Sequence, residues 1–172
     1  MKFKKTLCII LAAMAVTFAC ASCGDSGNDA NGGNEQGGDT AQAANDTDKV
    51  DVMVTANKLK NDIIYEDELV DADSGKIEKI LGVAPDAYKD AKVYISSTGA
   101  TPEEIAVFEA NDGMAEAIKA SLTTRLTNQK NTFTDYKPEQ APKLDNAVLE
   151  VRDNYVFFCV SGNSDKAKEI IG

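Results

Sequence analysis

Histidine and tryptophan are absent from this chain of 172 residues, and only four cysteines are present. Without histidine, the chain lacks Ser-His and Cys-His nucleophile pairs, imidazole metal ligands and the commonest general base of enzymes. Cys8 belongs to an apolar N-terminal run, whereas Cys159 lies inside the apolar segment YVFFCV, where a buried and unreactive thiol is expected. We therefore predict no disulfide framework, no metal site and no bound cofactor.

Positive charge is also scarce. The sequence holds 18 Lys and Arg against 28 Asp and Glu, which gives a formal charge of -10 at pH 7. Three of the basic residues, Lys2, Lys4 and Lys5, stand at the N-terminus, so the rest of the chain is more acidic still. Such a surface repels nucleic acid and anionic lipid headgroups. No nucleic-acid partner is expected, and any contact with a membrane needs an attraction other than that of surface charge.

The N-terminal sequence is typical of a protein that is attached to a membrane by a lipid. Residues 1–19 combine lysines with an apolar run over residues 7–18 that is too short to span a bilayer comfortably, as in a secretory signal peptide. The following segment, VTFACASCGDSG, resembles the lipobox of bacterial lipoproteins, in which signal peptidase cuts before a cysteine that is then lipidated. Cys20 is the preferred lipidation site and Cys23 is the alternative. Ordinary secretion, with cleavage near Ala21, is the remaining interpretation.

A polar tether is predicted over residues 20–48. From residue 24 onward it holds six acidic residues and no basic, aromatic or branched aliphatic side chain. Such a composition cannot bury enough apolar surface to offset the entropy lost on ordering, so this segment is expected to be disordered. Residues 49–172 then form a single globular domain of ordinary size.

The apolar pattern in the second half of the chain predicts two β-hairpins. In each hairpin an alternating strand precedes a continuously apolar one: residues 92–96 precede 105–108, and residues 147–151 precede 155–160. An unbroken apolar strand suits a position that is covered on both faces. We therefore expect an α+β fold with a four-stranded antiparallel sheet and the second strand of each hairpin at its centre.

Each hairpin is followed by a predicted helix. The first helix carries an apolar stripe at intervals of four residues through Ile118 and Leu122, and the second begins near Ser164. Two more helices are predicted upstream, over residues 51–64 and 74–81. Helices on one face alone would leave half of each central strand in water, so the N-terminal helices are expected on the other face.

One polar set stands out as a candidate site. Arg125 lies near the end of the long helix, and the connection that follows contains two prolines and is predicted to be irregular. If this connection folds back, it brings Tyr136, Glu139 and Gln140 towards Arg125, and Glu139 can form a bidentate pair with the guanidinium. We hypothesise a structural clamp there, with a ligand-binding arginine as the alternative.

The segments EIAVFEA, LTTRL, YKPEQ and NYVFF resemble a family of bacterial lipoproteins that is described only as a domain of unknown function (DUF4358). The similarity covers roughly residues 52–171, and the signal and the polar tether that precede the domain also suit that family. The resemblance implies an extracytoplasmic, lipid-anchored location at the cell membrane. It implies no activity, because none is established for the family.

Two classes of function remain. The first is a binding or interaction module at the cell envelope that acts on an unknown ligand or protein. The alternative is a metal-independent extracellular enzyme that uses two carboxyl groups as acid and base, facing each other across a cleft. Glu103 and Glu104, which precede an apolar strand, are interpreted as surface charge.

Overall fold

The computed structural model of this protein describes residues 49–172. The predictions for the signal peptide, the tether and the lipidation sites Cys20 and Cys23 lie outside the described residues. Within 49–172 the helices are α1 (Val52–Asp62), α2 (Ser74–Leu81), α3 (Ala115–Tyr136), α4 (Ala141–Asp145) and α5 (Ser164–Ile171). The strands are β1 (Leu69–Asp71), β2 (Tyr88–Ser96), β3 (Glu104–Ala110), β4 (Val148–Arg152) and β5 (Tyr155–Val160). In this part of the chain no helix is both long and apolar enough to cross a membrane.

The strands form one five-stranded sheet in the order β1-β2-β3-β5-β4, and all neighbours are antiparallel. The α+β class and the central position of β3 and β5 are confirmed: every residue of β5 is buried. The predicted count of four strands is wrong. The additional strand, β1, has only three residues and pairs Leu69 with Ser96 at the edge of the sheet, and so short a strand leaves no periodic signal in the sequence.

The central strands carry continuous apolar runs, residues 105–108 in β3 and 155–160 in β5, because helices cover both faces of the sheet. Ala106 and Phe108 of β3 face a core that also contains residues of α2 and α3. Ile105 and Val107 face the opposite core, which contains residues of α1 and α5. Successive side chains of a strand point to opposite faces, so a strand segment between two helical layers has no side chain directed to water.

The distribution of helices over the two faces differs from the predicted one. Of the two N-terminal helices, only α1 lies opposite α3, because Ile77 and Leu81 of α2 share a core with Leu122 of α3. The C-terminal helix α5 packs beside α1 instead. The physical reason is the area of the sheet that each helix covers. Helix α3 has 22 residues and covers one face together with α2, whereas the 11-residue α1 leaves part of the other face free for α5.

The predicted irregular connection after α3 is mostly helical. Helix α3 continues to Tyr136, Pro138 begins a 3-10 turn that ends at Gln140, and Pro142 lies in the first turn of α4. Proline disrupts the interior of a helix, but in the first turn its missing N–H has no partner to lose. The two prolines therefore start new helical turns here and do not exclude them.

Candidate functional site

Two consecutive glutamates are buried where β3 begins. Glu103 and Glu104 are each only 1 % exposed, so their interpretation as surface charge is wrong. Each carboxylate meets a cation from a helical segment: Arg125 of α3 contacts Glu104, and Lys143 of α4 contacts Glu103. Burying an isolated carboxylate is costly, and these cations, together with hydrogen bonds, offset that cost.

Glu104 is held by two side chains that lie four residues apart on α3. Nε of Arg125 donates to both carboxylate oxygens at 3.2 Å, and Nη2 donates to Oε2 at 2.9 Å. Nε2 of Gln129 donates to the same Oε2 at 3.3 Å. Burial raises the pKa of Glu104, and the adjacent guanidinium opposes that shift. The contact fixes one face of α3 against the start of β3.

Glu103 joins three separate segments of the chain. Its Oε2 accepts hydrogen bonds from the backbone N–H of Glu66 at 2.9 Å and from that of Asp67 at 3.1 Å. The hydroxyl of Thr101 donates to Oε2 at 3.1 Å, and Nζ of Lys143 donates to Oε1 at 2.7 Å. Such a set of donors satisfies a buried carboxylate completely. Glu103 is therefore a structural anchor for the segment before β1 and for α4.

The loop between β2 and β3 is organised by Asp67. The hydroxyl groups of Ser96 and Thr98 donate to its carboxylate, and the backbone N–H of Thr98 donates at 3.1 Å. Hydrogen bonds to the charged form hold the pKa of Asp67 well below its usual range. This contact fixes the turn that borders the two glutamates.

A cleft of about 400 Å³ lies between this loop and α3. Its polar lining includes the two glutamates together with Arg125 and Gln129, and its apolar lining comes from Ile80, Ile95 and Phe133. A volume of this size lies at the lower end of the range of roughly 300–1,000 Å³ for small-molecule sites. A mixed lining of this kind is also typical of such sites.

The Gln129 amide in this cleft is only half satisfied. Its Nε2 donates to the carbonyl of Pro102 at 3.4 Å and to Glu104, and both partners are acceptors only. The amide orientation is therefore fixed by chemistry, because a flipped amide would place two acceptors against its oxygen. The Oε1 atom is buried and accepts no hydrogen bond from residues 49–172. A buried acceptor without a partner costs about 1–3 kcal/mol, which a donor from a ligand would recover.

The hydrogen-bond donors of Arg125 are also only partly engaged. Its side chain keeps 26 % of its surface exposed, and Glu104 engages Nε and Nη2. The hydrogen bonds among the described residues leave Nη1 without an acceptor. Arg125 and Gln129 thus line the same cleft, the first with a donor and the second with an acceptor that no described residue engages.

The structure does not bring the four predicted site residues together. Glu139 and Tyr136 are exposed, and Arg125 pairs with Glu104 instead of Glu139. Gln140 is buried, and its Nε2 donates to the carboxylate of Glu66 at 3.0 Å. The reason is the length of α3: at about 1.5 Å per residue, Tyr136 lies roughly 16 Å beyond Arg125 along the helix axis.

Other chemistry is limited in the described region. No group of three His, Cys, Asp or Glu side chains within residues 49–172 is arranged to hold a metal ion. The thiol of Cys159 is buried beside the hydroxyl of Tyr65, and burial raises the pKa of this thiol. An inert thiol in the core is the expected consequence.

The sequence was also compared with known proteins. No curated protein and no solved structure matches the chain. A family described as a domain of unknown function (DUF4358) matches residues 61–161, which is more than half of the chain and includes both glutamates, Arg125 and Gln129. The four segments that carry the resemblance lie within the matched region, and the chain belongs to the DUF4358 family.

Proposed function

We propose that this protein is a lipid-anchored, extracytoplasmic binding protein of the cell envelope and that the cleft beside α3 is its ligand site. The observation that carries the proposal is the buried, unpartnered Oε1 of Gln129 in a cleft that the partly exposed Arg125 also lines. Native proteins rarely leave such an acceptor unsatisfied without a reason. The simplest reason is a ligand that forms the missing hydrogen bonds with both side chains.

The location rests on the N-terminal sequence. Three lysines, a short apolar run and the Cys20 and Cys23 pair favour export followed by lipidation, and the acidic, Gly-rich segment that follows favours a spacer. A binding domain held by such a spacer can reach envelope components near the membrane surface.

A second candidate is an enzyme that uses carboxyl groups as acid and base. Burial of Glu103 and Glu104 beside one cleft favours it. Acid-base catalysis requires a carboxyl group within hydrogen-bond reach of the substrate. The oxygens of Glu103 and Glu104 are instead engaged by protein donors, which is why we prefer binding.

A sedimentation experiment tests the proposed binding. Full-length protein in detergent would be mixed with the insoluble fraction of washed cell envelope and centrifuged. Gln129→Met keeps the length of the side chain but removes both polar groups, so the bound fraction should fall severalfold. Asn131→Ala, at an exposed position two residues away on α3, is the matched control and should bind like the wild type.

Thermal melts of both variants would show that each is folded at the temperature of the experiment. Equal binding by the wild type and both variants, or binding by none of them, would contradict the cleft as the ligand site. Turnover of an envelope component that is lost in Glu104→Gln and retained in Gln129→Met would favour the enzyme instead.

A further inference from the structure

The cleft offers more acceptors than the unpartnered amide alone. The hydroxyl of Thr132 donates to the backbone carbonyl of Asn128 at 3.0 Å, and the hydroxyl of Thr101 donates to Glu103. Each hydroxyl has then used its proton but retains lone pairs. Both threonines line the cleft with Gln129, so a ligand has to bring hydrogen-bond donors.

The lining of the cleft also contains donors. Nη1 of Arg125 has no acceptor among the described residues, and the side chain of Asn128 lines the same cleft and is exposed. A ligand that satisfies both sets needs donors as well as acceptors. A hydroxyl group supplies both from one oxygen atom, and neighbouring hydroxyls repeat the pattern.

Charge excludes ionic ligands from this position. The positive charge of Arg125 is already balanced by Glu104, and Glu103 is a second carboxylate in the lining, so an anion meets no net positive potential. A cation is also disfavoured, since Glu104 and Glu103 are already paired with the cations Arg125 and Lys143. A neutral ligand fits both facts.

The sheet geometry disfavours an extended peptide. Peptides commonly bind by adding a strand to a free sheet edge. The strands that border the cleft are β2, which lies between β1 and β3, and β3, which lies between β2 and β5. Neither has a free edge, whereas Ile80, Ile95 and Phe133 offer an apolar wall to the C–H face of a sugar ring.

From these observations we infer that the cleft binds a neutral, hydroxyl-rich glycan segment of the cell envelope. Its hydroxyl groups donate to Gln129 and Thr132 and accept from Arg125, while a ring face contacts the apolar wall. This inference rests on the proposed function and adds the chemical class of the ligand.

Saturation-transfer NMR on the full-length protein in detergent tests the inference. The probes are maltotriose, the trisaccharide of N-acetylglucosamine, and the neutral oligosaccharides released from washed envelope by mild acid. Trialanine, acetate and putrescine serve as peptide, anion and cation comparisons. We expect saturation transfer to at least one neutral oligosaccharide, an affinity at least tenfold weaker in Gln129→Met, and an unchanged affinity in Asn131→Ala.

The outcomes separate this inference from the proposed function. If no neutral oligosaccharide binds, or if binding is equal in wild type and Gln129→Met, the glycan inference is wrong. If envelope sedimentation still depends on Gln129 in that case, or if trialanine, acetate or putrescine binds in its place, the cleft remains a ligand site for a different class. Loss of the Gln129 dependence in both experiments would remove the proposed function as well.

Discussion

At the scale of single residues, the cleft depends on carboxylates that are buried with their partners. Such pairs contribute little net stability when intact, but the loss of one partner leaves an uncompensated charge in the interior. Exposed pairs behave differently, because water replaces the missing partner. The chain contains both kinds of pair, so the difference can be measured within one protein.

Arg125→Ala is expected to lower the free energy of unfolding by about 3–5 kcal/mol, since it strands the 1 % exposed carboxylate of Glu104. Adding Glu104→Ala should recover part of that loss. Urea unfolding of the two single variants and the double variant gives the coupling energy. The loss in Arg125→Ala should shrink at acidic pH, where Glu104 takes up a proton and no longer needs a cation.

The exposed pair of Lys89 and Asp112 provides the control cycle. Its side chains are 45 % and 97 % exposed, and water replaces a missing partner there, so its coupling energy should be close to zero. A coupling between Arg125 and Glu104 no larger than this control would show that their contact does not fix α3 to β3.

Asp67 gives a prediction about pH. Its pKa is lower in the folded protein than its ordinary value of 3.8, because hydroxyl and backbone donors stabilise the charged form. Its contribution is therefore present above the unfolded-state pKa and is lost as the pH falls towards the folded-state pKa. Asp67→Asn should be less stable than wild type at pH 7, and the gap should narrow below about pH 4.

Urea unfolding of wild type and Asp67→Asn across the acidic range measures that gap. Asp135→Asn, at an exposed position on α3, removes the same charge and serves as the control. A constant difference between Asp67→Asn and wild type from pH 7 to pH 2.5 would contradict the assignment.

At the scale of secondary structure, the pattern of side chains predicted what local periodicity controls. The continuous apolar runs of β3 and β5 correctly indicated two central strands, because only a doubly covered strand tolerates apolar residues at every position. The short turn at Asp153 also follows a local rule, since aspartate tolerates its observed φ of 52°. The three-residue β1 does not, because its pairing with β2 is a tertiary contact.

The dependence on tertiary contacts also explains why the buried glutamates of the site were not predicted. Glu103 and Glu104 look like surface charge to any local rule, and their burial depends on Arg125 and Lys143, which are distant in the sequence. Arg125 was identified as a candidate clamp, but its partner depended on where α3 ends, and that end was predicted too early. Charged residues directly before a fully apolar strand were the available signal, because the strand carries them into the covered part of the sheet.

Helix α4 should depend on one lysine more than on another. Lys143 contacts the buried Glu103, whereas Lys130 of α3 contacts the exposed Asp145 of α4 at 3.0 Å. Lys143→Met removes the charge but keeps the apolar stem, and it should cost roughly 3 kcal/mol by leaving Glu103 without its cation. Lys130→Met should cost about 0–1 kcal/mol, since its pair is exposed.

Thermal unfolding compares the two lysine variants directly. For a domain of this size, 1 kcal/mol shifts the melting temperature by about 3–6 °C, so the two results should differ by several degrees. Limited proteolysis of the folded variants adds a local measurement, in which residues 137–146 should be cleaved faster in Lys143→Met. Equal melting temperatures and equal cleavage would show that α4 is held by its apolar contacts alone.

At the scale of the whole molecule, surface charge opposes the proposed lipid anchoring. A protein with 28 acidic and 18 basic residues is repelled by an anionic membrane surface, so under this proposal a covalent lipid has to supply the attachment. A single acyl chain holds a protein only marginally, and stable anchoring takes two signals. Lipidation of one cysteine with more than one acyl chain would meet that requirement, and the acidic spacer would then keep the domain away from the headgroups.

Replacement of the two N-terminal cysteines tests this arrangement. With Cys20 as the modified residue, Cys20→Ser should appear in the soluble fraction or accumulate as an unprocessed precursor, whereas Cys23→Ser should fractionate with the membrane like the wild type. The double variant should lose membrane attachment in either case, because no other thiol is available near the cleavage site. Fractionation with mass spectrometry of the N-terminal peptide measures both outcomes, since an acylated cysteine carries the added lipid mass. Modification at Cys23 would reverse the results of the single variants, and a double variant that is processed and sediments like the wild type would contradict lipid anchoring altogether.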